Sequence, residues 1–157
     1  MTRKLRIIIF LFLLSLASLP ALAQTEEKAI ANEVLKLINT YRESKKLKPL
    51  VSELVVYEQA LEHSKSMVRS DDMSHDGFEE RVQQINKTVF ATASAENVAF
   101  NQGEENPAKT AFEQWRTSRG HNKNMLGNYT HTGLAVAKSN DGKYYFTQIF
   151  IRVGKNR

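Results

Sequence analysis

The 157-residue chain contains no cysteine. This absence excludes disulfide bonds, thiolate metal ligands and cysteine nucleophiles, so packing alone must hold the fold together. Only three prolines and seven glycines occur, and the chain shows no internal repeat, low-complexity tract or interdomain linker. The motifs H-E-x-x-H, G-x-G-x-x-G, the Walker loop and G-x-S-x-G are also absent. No local motif therefore indicates an enzyme class.

The N-terminal segment has the pattern of an export signal. Three basic residues within the first six precede an apolar run from Ile7 to Leu19, which is shorter than the ~20 residues that span a bilayer as a helix. Pro20 follows, and Ala21-Leu22-Ala23 gives the small-x-small pattern of a signal peptidase site. We predict a signal peptide over residues 1–23, cleavage after Ala23, and a secreted or periplasmic protein with no stable membrane span. The alternative is an uncleaved N-terminal anchor.

The basic character of the chain belongs largely to this signal. The formal net charge is +5, but three of the 22 basic residues and none of the 17 acidic ones lie in residues 1–23, which leaves +2 for the remainder. Lys45-Lys46-Leu47-Lys48 closes the first predicted helix, where cations interact favourably with the helix dipole. We therefore do not expect a nucleic-acid partner.

The remaining 134 residues, 24–157, have the size of one domain. Apolar residues at intervals of three and four predict four helices. These are a helix from a Thr25 cap to Lys48, a helix from Ser52-Glu53 to about Ser70, a short helix over Phe78 to Ile85, and a helix from an Asn106 cap to Gly120. Strands are predicted at Thr88 to Thr92, Gly133 to Ala137 and Tyr144 to Ile151, the last two joined by an Asn-Asp-Gly turn. Helices first and strands last favour an α+β fold.

Three separated residues could form a polar site. His75 follows the second predicted helix in a polar loop, Glu96 enters an apolar segment, and His121 follows the Trp115 helix. A buried carboxylate needs donors, and one Glu with two His is a known catalytic zinc ligand set. The separations of 21 and 25 residues are long, so spacing alone does not show that the three side chains meet.

Several short motifs together carry a resemblance to a known family. They are MVRSDDMSHD at residues 67–76, ENVA at 96–99, WRTS at 115–118, GHNKNML at 120–126, Gly133 to Ala137, and YFTQIF at 145–150. In this order and spacing they resemble the bacterial branch of the CAP superfamily, the SCP/PR-1-like proteins. The resemblance covers nearly the whole of residues 24–157. It implies a three-layer α-β-α sandwich with a central antiparallel sheet.

The resemblance also implies a surface cleft lined by two histidines and two acids. His75, His121 and Glu96 fall on three of these positions, and they are the ligands expected for a divalent cation such as Zn²⁺ or Mg²⁺. Ser118 occupies the fourth position, where eukaryotic members have a glutamate, so the resemblance does not supply the second acid that a two-acid mechanism needs. Gln148 is a further tentative cleft residue. Glu79 and Glu80, just beyond His75, are alternative acids.

Three functions follow as hypotheses. The first is an exported binding module for a divalent cation, or for a cell-envelope, lipid or protein ligand. The alternative is a metal-dependent hydrolase, of peptidase or esterase type, that uses His75, His121 and Glu96, with Glu96 as third ligand or general base. The third is a protein that acts through its surface, in which the three residues bind no ligand and form a purely structural hydrogen-bond network. No complete catalytic constellation is visible, so binding is favoured over catalysis.

The other notable residues have simpler interpretations. His63, in the middle of the second predicted helix, is interpreted as a solvated or partly packed position. His131 lies at the start of a strand and is interpreted as structural. Trp115 shares a helix face with Phe112, which predicts a core position.

Overall fold

The computed structural model describes residues 19–154. Most of the predicted signal peptide, residues 1–18, lies outside this range, and its cleavage stays a prediction. The described helices and strands are α1 (Leu19–Ser44), β1 (Val51–Ser52), α2 (Leu54–Ser70), α3 (Phe78–Asn86), β2 (Ala91–Gln102), α4 (Pro107–Thr117), α5 (Arg119–Met125), β3 (His131–Lys138) and β4 (Lys143–Val153). Within this range, no helix is long and apolar enough to cross a bilayer.

The four strands form one sheet in the order β1-β3-β4-β2. β4 lies in the centre and pairs antiparallel with both β2 and β3, and the two-residue β1 adds a short parallel edge to β3. The pairing of β4 brings Glu96 of β2 opposite Ile149. The predicted α+β class and the central antiparallel sheet are therefore confirmed.

Helices cover both faces of the sheet, because alternate residues of each strand point to opposite sides. On one face α1, α4 and α5 pack on Leu134, Val136, Phe146 and Phe150. On the other face α2 and α3 pack on Ala135, Ile149 and Ile151. This arrangement confirms the three-layer α-β-α sandwich.

Trp115 fixes α4 to the sheet. Its side chain is fully buried in the α1/α4 layer, and its indole Nε1 donates a hydrogen bond to the carbonyl oxygen of Val98 at 2.9 Å. The core position predicted for Trp115 is confirmed. The bond ties α4 to β2 two residues beyond Glu96, so the packing of α4 helps to hold the strand that carries the site.

Several predicted boundaries differ from the structure. The first helix ends at Ser44 and not at Lys48, and Lys46 has a positive φ of 62°, which is not helical. α1 begins at Leu19 and not at Thr25. Pro20 is compatible with this earlier start, because the amide groups in the first turn of a helix have no partner within the helix and proline has no amide hydrogen to leave unpaired. β2 starts at Ala91 and continues to Gln102, because pairing with β4 overrides the weak strand propensity of its alanines. The helix predicted to end at Gly120 ends at Thr117, where the extended backbone of Ser118 separates α4 from α5.

Candidate functional site

Glu96 is the centre of a polar cluster between the sheet and α3. Its side chain is only 2% exposed, and both of its carboxylate oxygens are bound by Arg81. Arg81 Nε lies 3.0 Å from Oε2, and Arg81 Nη2 lies 2.7 Å from Oε2 and 2.9 Å from Oε1. Such two-pronged guanidinium–carboxylate pairs are among the stronger polar contacts in proteins. The buried negative charge of Glu96 is thus compensated by the protein itself.

Arg81 also holds the loop that carries His75. Its Nη1 donates to the carbonyl oxygen of Asp76 at 2.7 Å. The sequence interpretation missed Arg81, although it is the one basic residue in α3 and a buried carboxylate commonly pairs with arginine. Glu79 and Glu80, the alternative acids, lie exposed in the first turn of α3 and make no contact with Glu96 in the described structure.

His75 is the exposed member of the cluster. Its Nδ1 lies 2.9 Å from Glu96 Oε1, and its side chain is 54% exposed. Because an ionised carboxylate only accepts hydrogen bonds, Nδ1 carries the proton in this contact. The neutral imidazole then has a free lone pair on Nε2, for which the described residues supply no partner. His75 and Glu96 are brought together as expected.

His63 belongs to the same cluster. It is buried on α2, its Nε2 lies 2.8 Å from the carbonyl oxygen of Ser74, and the same atom is 3.9 Å from Glu96 Oε1. Burial is the main cause that lowers the pKa of His63 below the ordinary value of 6.5. His63 is thus more completely buried than its interpretation as a solvated or partly packed residue allowed.

His121 approaches the cluster from α5. An amide network docks this helix on β2: Asn97 Nδ2 donates to the carbonyl oxygen of His121 at 3.1 Å, and Asn124 Nδ2 donates to Asn97 Oδ1 at 2.9 Å and to the Glu96 carbonyl oxygen at 3.2 Å. Burial lowers the pKa of His121, and the electrostatic effect of His75 lowers it further. The His121 ring itself makes no hydrogen bond in the described structure.

The two tentative cleft residues do not join this cluster. Gln148 is fully buried on the α1/α4 side of the sheet, opposite to the side that holds Glu96, and its Nε2 donates to Thr132 Oγ1 at 3.2 Å. Ser118 lies at the junction of α4 and α5, and its hydroxyl makes no hydrogen bond to the described residues. His131 lies at the start of β3, outside the Glu96 cluster, with Nδ1 2.9 Å from Thr130 Oγ1.

The residues fit a divalent cation only in part. No group of three or more His, Cys, Asp or Glu side chains in residues 19–154 is arranged to hold a metal ion. Glu96 does not fit the role of third ligand, because Arg81 and His75 already occupy both of its oxygens. His75 and His121 each keep a ring nitrogen that makes no hydrogen bond to the described residues, and Glu96 is the hydrogen-bond partner of the other nitrogen of His75.

The three-layer α-β-α fold is that of a CAP domain. The model for the CAP family, described as the cysteine-rich secretory protein family, matches residues 35–150. This match spans most of the chain, so the protein belongs to the CAP family, although it contains no cysteine. None of the curated proteins compared matches at a significant level.

Solved structures show the same fold. An extracellular protein with an SCP domain from Bacillus anthracis is 27% identical, with a TM-score of 0.71, and the match covers 85% of this chain and 43% of that protein. An outer surface protein from Borrelia burgdorferi is 18% identical, with a TM-score of 0.70 over 81% of this chain and 95% of that protein. A cysteine-rich secretory protein from Staphylococcus aureus is 20% identical, with a TM-score of 0.65 over 81% of this chain and 39% of that protein. This chain thus spans less than half of the Bacillus and Staphylococcus proteins.

Proposed function

We propose that this protein is an exported CAP-domain binding module that holds a divalent cation between His75 and His121. The observation that carries the proposal is the orientation of His75. Its Nδ1 is bound to Glu96 at 2.9 Å, so the opposite nitrogen of a half-exposed ring is left free. Imidazole nitrogens suit Zn²⁺, whereas Mg²⁺ prefers oxygen ligands, so Zn²⁺ is the favoured ion.

The surrounding groups suit this role. A carboxylate on the second nitrogen of a metal-binding histidine fixes the ring and raises its basicity. Arg81 in turn fixes Glu96, since it binds both oxygens and anchors the loop at Asp76. The lowered pKa of His121 favours its neutral form, and only neutral imidazole has a lone pair for a metal. Two protein ligands leave other coordination positions for water or for a ligand group.

We further propose that the protein is exported and that the bound cation holds a ligand at the protein surface. The predicted signal peptide over residues 1–23 supports export, and so does the likeness to an extracellular protein of Bacillus anthracis. A cation with open coordination positions would attract an anionic group of a cell-envelope, lipid or protein ligand. The half-exposed ring of His75 makes the site accessible to such a ligand.

The geometry does not favour the hydrolase alternative. A general base must reach a water molecule, but Glu96 is buried and both of its oxygens are bound to Arg81 and His75. Ser118 offers no second acid. We therefore propose a binding function.

Isothermal titration with Zn²⁺ tests the cation site. The wild-type chain, residues 24–157, should bind one ion, and His75→Ala and His121→Ala should each lose measurable binding. His131→Ala is the matched control, since it removes a histidine outside the cluster and should leave the affinity unchanged. Equal affinities for all four proteins, with circular dichroism showing intact folds, would exclude this site.

A further inference from the structure

A second candidate site lies at the opposite edge of the sheet. A cavity of about 500 Å³ is bounded by the C-terminal end of α1, the segment 46–51 and the segment 126–131 that leads from α5 to β3. It borders β1, whereas Glu96 lies on β2, and these edge strands are three strand spacings apart, about 14 Å. The cavity is therefore separate from the Glu96 cluster.

The lining of this cavity carries positive charge and no carboxylate. Arg42, Lys46 and Lys48 line it, while no Asp or Glu is among its lining residues. Neither lysine forms an ion pair with any residue between 19 and 154. The cavity consequently has an excess of positive charge that the described part of the chain does not neutralise.

Arg42 contributes a buried charge to the wall. It is 2% exposed, and it donates four hydrogen bonds, all to backbone carbonyl oxygens: those of Lys48 at 2.9 Å, Met125 at 2.7 Å, Gly127 at 3.0 Å and Tyr129 at 3.3 Å. Carbonyl oxygens satisfy N–H groups without cancelling the charge. A buried cation without a counter-ion is ordinarily unfavourable. Of the five N–H groups of the guanidinium, one has no acceptor in the described structure.

The same four hydrogen bonds build the cavity. They connect the end of α1 with both wall segments, so the walls are held in place without a ligand. Much of the remaining lining is apolar, with Leu47, Pro49 and Val51 on one side and Leu126 and Tyr129 on the other. Asn128, Thr130 and His131 add polar groups. Val51 is 56% exposed, so apolar surface continues from the cavity to its mouth.

We infer that this cavity binds a small organic anion, in which a carboxylate, sulfonate or phosphate group is attached to an apolar body. The cations attract the charged group, and the apolar walls cover the rest of the molecule. The volume lies within the usual range for small-molecule sites. Affinity should fall as ionic strength rises, because the two lysines are exposed to solvent.

Fluorescence titration with 8-anilinonaphthalene-1-sulfonate tests this inference, since this probe joins a sulfonate to aromatic rings. The double variant Lys46→Asn/Lys48→Gln should bind about tenfold more weakly. Asparagine is chosen because Lys46 has a φ of 62°, which asparagine tolerates. Lys36→Gln/Lys65→Gln removes the same charge from exposed helix positions and should keep the wild-type affinity.

Two further measurements locate the probe and test its charge. The uncharged analogue N-phenyl-1-naphthylamine should bind the wild type about as weakly as the sulfonate binds the Lys46/Lys48 variant. In NMR spectra, the sulfonate should shift amide signals of residues 46–51 and 126–131. Equal weakening by the two lysine variants, tight binding of the uncharged analogue, or signal shifts confined to other regions would each overturn the inference.

Discussion

Arg81 of α3 and Glu96 of β2 form an ion pair in which one guanidinium binds both oxygens of a carboxylate that is almost completely buried. Arg81 and Glu96 are 15 residues apart in the sequence. The loop that carries His75 contacts both of them, through His75 Nδ1 on Glu96 and the Asp76 carbonyl oxygen on Arg81. Two histidines complete the surroundings of the carboxylate, His75 at 2.9 Å and His63 at 3.9 Å from Oε1. The ion pair is thus both a structural link and the support of the proposed cation site.

Removing the arginine should strongly destabilise the fold. Arg81→Met leaves the Glu96 carboxylate buried with only histidine partners, and breaking a buried pair in this way costs about 3–5 kcal/mol. The free energy of unfolding, measured by urea denaturation, should fall by about that amount. The double variant Arg81→Met/Glu96→Met should recover much of the loss, because it removes both charges together.

A matched arginine on the surface gives the control. Arg69 pairs with Glu62 at 2.8 Å, but both side chains are more than half exposed. Arg69→Ala should change the free energy of unfolding by less than about 1 kcal/mol, the usual range for exposed pairs. Similar losses for Arg81→Met and Arg69→Ala would show that burial does not strengthen the Arg81–Glu96 pair.

The fold was largely predictable because its local patterns agree with its tertiary structure. The Asn106 cap is an example: its side-chain oxygen accepts a hydrogen bond from the Lys109 amide at 2.8 Å, as the Asn-Pro motif predicts. The alternation along β4 likewise divides Phe146 and Phe150 from Ile149 and Ile151, which pack on opposite helix layers.

The site was only partly predictable because its contacts join distant residues. The resemblance placed His75 and Glu96 in one cleft, but neither the resemblance nor the spacing pointed to Arg81, whose role depends on how α3 packs against β2. Gln148 shows the opposite case. The alternation along β4 predicts which face of the sheet Gln148 points to. The face of Glu96 was not predictable, because the predicted strand ended at Thr92 and did not include Glu96.

Zinc should stabilise the wild type and EDTA should reverse the effect. An ion that binds only the folded state adds about 2.7 kcal/mol of stability at one hundred times its Kd. The melting temperature of the wild type should therefore rise with Zn²⁺, while that of His75→Ala should not. A comparable rise in His75→Ala would place the bound ion elsewhere on the protein.

Acidification should destabilise the protein partly through His63. Burial lowers the pKa of His63 in the folded state below 6.5, so the unfolded chain binds more protons between the folded value and 6.5. Stability from His63 is therefore complete above this range and is lost as the pH falls through it. Between pH 7.5 and 5.5, chemical denaturation should show a smaller decrease in the free energy of unfolding for His63→Gln than for the wild type. The glutamine amide can still donate a hydrogen bond to Ser74. Parallel curves for the two proteins would contradict this assignment.

Gly133 should be intolerant of any side chain, because α2 lies directly against β3 at this point. A Cβ atom at Gly133 would lie 2.2 Å from the Tyr57 nitrogen and 2.2 Å from the Val56 carbonyl carbon, which are backbone atoms that cannot rotate away. Gly133→Ala should therefore lower the free energy of unfolding by about 2–3 kcal/mol, as overpacking does. Gly120→Ala is the matched control: its Cβ meets nothing within 4 Å, and alanine in α5 should stabilise by up to about 1 kcal/mol. If urea denaturation gave shifts of the same sign for both variants, close packing of α2 on β3 would not explain the glycine at position 133.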